Sequence, residues 1–415
     1  MNPLYNLGIH LYGVAARAAA PFSHKIAQML HGRRETLRML RDSVPQDTQY
    51  GFDSWFHVAS LGEFEQARPI IERLKAADPS HRILVTFFSP SGYNVRCNYE
   101  LADAVAYLPA DTPERVSEFL DIIRPRRAIF VKYEFWGNML QELHRRAVPT
   151  YLICAHFRQN QIFFKPYGGF MRKVLSYFTS LVVQDEASVN LLRSAGIPAE
   201  RITVAGDTRF DRVERIISGA QHLPEIERFK GGSPLLVAGS SWQPDEDCYI
   251  PWLHAHPEVK AIVAPHEFDN QRIEKLRQTL GSDRTAVLSE CKDGRIPDEA
   301  SYLIVDCFGL LVSLYRYADV ALIGGGLGAG IHNITEAVGY GVPVVFGPRY
   351  SKFREAVELV KRSSAASYNS ASSLDVILTE LFADPELRRK RGAEAAEYFA
   401  ENLGATDTIY NLIYD

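Results

Sequence analysis

The sequence predicts an α/β protein of two doubly wound, Rossmann-like domains, and three observations carry that expectation. Its 415 residues are long enough for two or three cores of ordinary domain size. With 46% hydrophobic and 23% charged residues, the composition is that of a globular chain, not a disordered or fibrous one. Short, continuously apolar, β-branched runs alternate with polar stretches of helical spacing, as in parallel sheets covered by helices on both faces.

Across residues 1–41, Arg17, Lys25, Arg33, Arg34, Arg38 and Arg41 stand against one acid, Glu35, a net of +5 in a chain whose overall charge is -4. Leu4, Leu7, Leu11, Val14 and Ala18 recur at helical spacing beside Tyr5 and Tyr12, so residues 1–44 read as a basic amphipathic segment. Such a helix either lies on anionic lipid or packs its apolar face on the first domain, and Gly8, Gly13 and Pro21 count against a continuous helix. Residues 55–59, 83–88, 128–132, 151–154 and 181–184 read as strands, each followed by a helix, and make 45–218 the first α/β domain. A second series at 235–238, 261–264, 303–305, 320–323 and 343–346 makes 219–415 the second. Gly219, Pro224, Gly231, Gly232 and Pro234 punctuate the polar stretch near the boundary. The Arg-, Glu- and Ala-rich end, from about residue 384, reads as helices that cap the second domain or cross back to the first. Two such domains facing each other leave a central cleft at the carboxyl ends of their strands, where open sheets bind ligands.

Composition also excludes. The near balance of charge argues against a nucleic-acid binder held by counterion release. Cys97, Cys154, Cys248, Cys291 and Cys307 are scattered and form no C-x-x-C pair, which disfavours a disulfide framework or zinc cluster and fits a reducing compartment. No apolar run reaches 18 residues and no signal-peptide pattern precedes an A-x-A site. His254 and His256 lie two apart and no H-E-x-x-H occurs, so no protein-held metal is expected; G-x-S-x-G and P-loop patterns are absent too.

Two motifs can carry chemistry. Ser60-Leu61-Gly62-Glu63 follows a strand and precedes an amphipathic helix at 64–75. A carboxylate there can take a proton from an attacking hydroxyl. The same four residues also spell a capping box, and taken alone they favour the cap. The second motif, Gly324-Gly325-Gly326-Leu327-Gly328-Ala329-Gly330, lies between a strand and a helical stretch at 332–337, where glycines admit a phosphate to the backbone. Gly324, Gly326 and Ala329 satisfy G-x-G-x-x-A, yet the next strand ends in Gly347-Pro348-Arg349 with no acid for a ribose, which counts against a nicotinamide dinucleotide. A glycine turn serving packing alone is the other reading. Asn333 and Glu336, three apart on one helix face, can hold a ribose hydroxyl pair. Gly239-Ser240-Ser241 and Pro265-His266, each just past a strand, complete the outline of a nucleotide pocket.

Taken together, six blocks resemble the 3-deoxy-D-manno-oct-2-ulosonic acid (Kdo) transferases of lipopolysaccharide synthesis, glycosyltransferases of the GT-B fold. They are His57-Val58-Ala59-Ser60-Leu61-Gly62-Glu63, the stretch 86–92 (TFFSPSG), Tyr107-Leu108-Pro109-Ala110-Asp111, Lys132-Tyr133-Glu134-Phe135-Trp136, the stretch 204–211 (VAGDTRFD), and 324–336. The resemblance implies inverting transfer of Kdo from CMP-Kdo to a lipid A precursor (lipid IVA) at the cytoplasmic face of the bacterial inner membrane. It further implies peripheral contact with anionic lipid and neither metal nor cofactor. Glu63 matches the family's base, and Asn333 and Glu336 its nucleotide-binding helix, with Gly325 and Gly326 in the loop before it. Gly239, Ser240, Ser241, Pro265 and His266 are expected on the donor side. Ser60, Gly62, Ser91, Gly92, Glu134 and Arg209 are expected to meet the donor carboxylate or phosphate, or the acceptor. The family commonly carries Asn and Lys where this chain has Asp207 and Arg209, and Arg-His-Pro where it reads Pro265-His266-Glu267. Another GT-B nucleotide-sugar transferase or epimerase, or a non-catalytic nucleotide-binding protein, is the competing reading.

Overall fold

The computed structural model describes residues 2–44 and 48–415. It divides into two units, Met1–Asp211 with Leu403–Asp415, and Arg212–Asn402. The expected boundary at 44/45 abuts positions outside the described residues. The division after Asp211 precedes the expected 218/219, because the helix Arg209–Ser218 carries the chain from one unit to the other without a break.

The first unit holds a seven-stranded sheet: β1 (Ser54–Val58), β2 (Ile83–Phe87), β3 (Ala104–Tyr107), β4 (Ala128–Val131), β5 (Thr150–Ala155), β6 (Ser180–Val183) and β7 (Ile202–Val204), in the order β3-β2-β1-β4-β5-β6-β7. Every neighbouring pair is parallel. Successive side chains of a strand point to opposite faces, so each strand feeds two cores. Trp55, Leu84, Phe130 and Leu152 lie in one, Phe56, Val85, Ile129 and Ile153 in the other. This two-sided burial explains the unbroken apolar runs of the sequence.

Helix α1 (Pro3–Ala19) is capped by Asn2, whose Oδ1 accepts the Leu4 and Tyr5 N–H groups, and it runs through Gly8 and Gly13. Pro21 sits in a separate short turn, Ala20–Phe22. The next helix, α2 (His24–Ser43), puts Leu37 and Leu40 into the first core, so the N-terminal segment is part of this unit. Helix α3 (Leu61–Ala77) covers the opposite face with Phe64, Ile70, Ile71 and Leu74. The chain's last helix, Ala405–Tyr414, joins that face: Ile409 and Ile413 are in the core and the Tyr414 hydroxyl lies 2.8 Å from Ser54 Oγ. Burying an isoleucine contributes roughly 1.5–3 kcal/mol, enough to hold a short terminal helix in place.

The second unit repeats the plan with β8 (Leu235–Ser241), β9 (Lys260–Pro265), β10 (Thr285–Val287), β11 (Tyr302–Ile304), β12 (Val320–Ile323), β13 (Val344–Phe346) and β14 (Ala365–Ser367), in the order β10-β11-β9-β8-β12-β13-β14, all parallel. The helix expected over 332–337 is the single turn Thr335–Val338; Asn333 lies ahead of it and accepts the Thr335 N–H through Oδ1. That Asx contact satisfies an amide that a longer helix would have bonded internally.

Candidate active site

In the first unit the polar groups gather past the carboxyl ends of β1, β2 and β4. Ser60 is the N-cap of α3, but its hydroxyl caps nothing. Glu63 reaches back instead, its Oε2 accepting the Ala59 N–H at 2.5 Å. Neither half of the expected capping box is therefore formed, because the carboxylate takes the N–H of the residue before the cap and not that of Ser60. Burial, followed by the charge of Glu134, raises the Glu63 carboxyl to about 7, against the pull of the Ala59 N–H, His57 and Lys132. A half-buried carboxyl at that value is suited to accept a proton near neutral pH. Gly62 and Ser91 are exposed, and Gly92 is buried, where a Cβ would meet Phe87 Cδ1 at 2.7 Å and the Leu61 nitrogen at 3.0 Å. Glycine there lets the first turn of α4 (Pro90–Arg96) close on the turn that carries Glu63.

Glu134 is buried in a network that sequence reasoning did not assemble. Its Oε2 lies 2.8 Å from His57 Nε2 and accepts the Trp136 indole N–H at 2.7 Å. On the other side of the imidazole, Nδ1 faces Thr86 Oγ1 at 2.9 Å, and that oxygen also accepts the Trp55 indole N–H at 2.8 Å. The available signal was His57 itself, a polar residue inside an otherwise apolar, fully buried strand, where an imidazole needs partners. Lys132, also missed, has left-handed backbone, φ 66°, just past β4. For a non-glycine residue this costs on the order of 1–3 kcal/mol, and such strain concentrates at functional sites. Its charge acts on both Glu63 and Asp207.

Arg209, expected to meet donor or acceptor, is engaged within the protein. Its Nε and Nη2 donate to Asp207 Oδ2 at 3.0 and 2.8 Å, and Gln66 and Gln184 amides donate to the same oxygen at 2.9 and 3.0 Å. Burial alone would raise Asp207, but the Arg209 charge and these donors hold it at about 2. Asp207 and Arg209 are thus one ion pair.

In the second unit the glycine loop follows β12. Gly325 has φ +90°, a conformation open to glycine, and donates its N–H to the buried Asp245 at 2.9 Å. Gly324, Gly328 and Gly330 spend their N–H groups on Gly239 and Gly325 carbonyls, and the Gly326 carbonyl accepts the Arg349 N–H. These amides shape the loop. Asp245 also accepts the Trp242 N–H and the Tyr368 hydroxyl, tying the loop to two further elements. Ser241 turns inward as well: its hydroxyl lies 3.1 Å from both Glu246 Oε1 and the Tyr249 hydroxyl. A bulge at Ser240, φ 51°, shifts the register with β9 between the Gly239–Ala264 and Ser241–Pro265 pairs, and Pro265 is buried.

Past β8 and β9, three rings form a ladder: Trp242 on His266 at 4.4 Å and His266 on His332 at 4.5 Å, with the Trp242 indole donating to His332 Nε2 at 3.1 Å. Burial, then the neighbouring His266, lowers the His332 imidazole. Asn333 donates to Glu336 Oε1 at 3.0 Å, joining the expected pair, and burial raises the Glu336 carboxyl. Among the described residues no three His, Cys, Asp or Glu side chains converge to hold a metal ion.

Two Rossmann-like parallel sheets, each with polar side chains gathered past the carboxyl ends of its central strands, define the GT-B class. UDP-GlcNAc 2-epimerase from Neisseria meningitidis shares the fold at a TM-score of 0.60, with 14% identity over 87% of this chain and 100% of that one. Acinetobacter baumannii MurG does so at 0.57, with 12% identity over 87% and 99%. Within that class the chain is similar to the Kdo transferases. The family model described as 3-deoxy-D-manno-octulosonic-acid transferase (kdotransferase) matches residues 29–212. The 3-deoxy-D-manno-octulosonic acid transferase of Aquifex aeolicus is 27% identical over 79% of this chain and 85% of its own, and that of Chlamydia muridarum is 26% identical over 94% and 92%.

Proposed function

We propose that the protein transfers Kdo from CMP-Kdo to a hydroxyl of a lipid A precursor with inversion at the anomeric carbon. In this reading the first unit binds the acceptor and the second the donor. Glu63 carries it: Oε2 is fixed by the Ala59 N–H, while the carboxyl sits near 7, so the group is oriented and basic enough to take the hydroxyl proton as the bond to the anomeric carbon forms. One base suffices, because the departing CMP leaves as a phosphate anion and needs no proton. Glu134, held by His57 and Trp136, keeps a second negative charge close to Glu63 and so keeps it basic. On the donor side the Trp242, His266 and His332 rings offer a stacking face for a base, and the Asn333–Glu336 pair offers an acceptor for ribose hydroxyls.

No helix among the described residues is long and apolar enough to cross a membrane. We place the protein peripherally on the cytoplasmic face of the inner membrane, because Leu4, Leu7, Leu11 and Val14 of α1 are exposed while Tyr5 docks the helix through its hydroxyl on Asp111 at 2.6 Å. Calorimetric titration with CMP, with UMP and NAD as controls, tests the donor assignment. Selective CMP binding supports it, and NAD binding alone returns the glycine loop to a dinucleotide role. Transfer by Glu63→Gln at the parent rate would remove Glu63 as base and leave a protein in which it only anchors the start of α3 to Ala59.

A further inference from the structure

Beside α1 lies a concavity that the transfer reaction as described does not use. It measures about 180 Å³ and is walled by α1, α2, residues 109–115 and Trp136. Four guanidinium side chains line it: Arg17, Arg33, Arg34 and Arg115. Arg115 is paired with Glu118 at 3.0 Å. Arg17, Arg33 and Arg34 have no carboxylate partner among the described residues. The buried Arg33 Nε has no hydrogen-bond acceptor, and the guanidinium rests on the Phe88 ring at 4.6 Å. Asp111, the one carboxylate in the wall, is already occupied by the Tyr5 hydroxyl and the Asn138 and Met139 N–H groups. A buried guanidinium N–H without an acceptor is unfavourable, and the planar fork fits phosphate oxygens two at a time.

Helix α1 presents different faces to this socket and to solvent. Ile9, Tyr12 and Ala16 line the cavity, while Leu4, Leu7, Leu11 and Val14 point out, 79%, 56%, 61% and 59% exposed. A cationic socket next to an apolar stripe matches an amphiphile with an anionic head. We propose that the Arg33 pocket is a phosphomonoester subsite, taking the head group of a phosphorylated lipid whose apolar part lies along α1. The inference deepens the transfer reaction by giving a lipid acceptor's head group a place, and rests on that reading for the identity of the lipid. The pocket also has a route to the reacting groups: Phe88 stacks on Trp136 at 5.2 Å, and Trp136 donates to Glu134.

The test is calorimetric titration of the full chain, Arg33→Gln, Arg33→Lys and Arg17→Gln with three probes: dihexanoyl phosphatidic acid, dihexanoyl phosphatidylcholine and inorganic phosphate. Phosphatidic acid is expected to bind saturably, about tenfold or more weakly to Arg33→Gln and less weakly to Arg33→Lys, with no saturable binding of the phosphodiester. Arg17 is exposed, so Arg17→Gln keeps the fold and is expected to weaken the same probe. Inorganic phosphate binding more weakly than phosphatidic acid, with the same Arg33 dependence, assigns the site to a lipid head. Binding as tight as the lipid's supports the anion subsite with free phosphate as its source. Undiminished phosphatidic acid binding by both Arg33→Gln and Arg17→Gln, or phosphatidylcholine binding as tightly as phosphatidic acid, overturns the proposal. CMP titration of the same samples separates the two readings: loss of the phosphate arm with CMP binding and transfer retained removes only the pocket.

Discussion

Glu63 accepts the Ala59 N–H through one carboxylate oxygen, so a single side chain both ties the start of α3 to the end of β1 and stands as the candidate base. The two roles are compatible because a carboxylate has two oxygens and the bond to Ala59 uses one. The cost lies in burial beside Glu134, which raises the carboxyl from 4.5 to about 7.

That rise has a stability consequence. A carboxyl whose native value exceeds its unfolded one binds its proton more tightly when folded, so the protein is most stable below about pH 4.5 with respect to this group. It loses stability as pH rises toward about 7 and remains reduced above. The loss is on the order of 2–4 kcal/mol. Glu63→Gln keeps an acceptor for Ala59 and removes the charge. It is expected to lose about 10²- to 10⁴-fold in transfer while being more stable than the parent at pH 8 and similar at pH 4. Urea unfolding of the first unit's transition at the two pH values measures this, and equal stability at pH 8 contradicts it.

Glu134 acts on Glu63 through its charge. Glu134→Gln retains an oxygen for the Trp136 indole but removes the negative charge, so the acid limb of kcat/KM is expected to move below about 7. A variant with reduced rate and an unmoved limb would assign Glu134 a packing role only.

The central strands of both sheets were legible because they are buried on two faces and read as unbroken apolar runs. The four strands that the periodicity did not reveal, β3, β7, β10 and β14, are the edges of the two sheets. Edge strands pair on one side only and stay short: β7 and β14 have three residues each, most of them half-buried or exposed. Glu63 was visible as a motif, whereas His57 with Glu134, and Asp245 with Gly325, are separated by 77 and 80 positions and meet only through the parallel register. Spacing does not reveal that Asp245 takes one of the amides of the glycine cluster.

For the α1 stripe, co-sedimentation with vesicles containing anionic lipid gives a direct measure. Leu7 and Leu11 are exposed, so Leu7→Glu with Leu11→Glu leaves the docked face of Tyr5 intact. Vesicle binding is expected to fall at least tenfold with no change in the unfolding midpoint, since each substitution removes apolar contact and adds repulsion. Equal partitioning of the variant and the parent would assign the stripe some other partner.

Asp207 and Arg209 offer a paired exchange, because the family commonly carries Asn and Lys at these positions. The pair holds Asp207 at about 2, so its contribution is present above about 3.8 and lost as pH falls through about 2. Asp207→Asn leaves the guanidinium facing a neutral amide, and Arg209→Lys removes the fork that gives Asp207 Oδ2 two donors at 3.0 and 2.8 Å. Each single change is expected to destabilise the first unit. The double change replaces a buried ion pair by an amide and an ammonium, so its cost is expected to be less than the sum of the two, with a coupling of about 0.5–3 kcal/mol. A double-mutant cycle by urea unfolding reads this directly. Strict additivity would mean that Gln66 and Gln184, which donate to the same oxygen, hold Asp207 without help from the guanidinium.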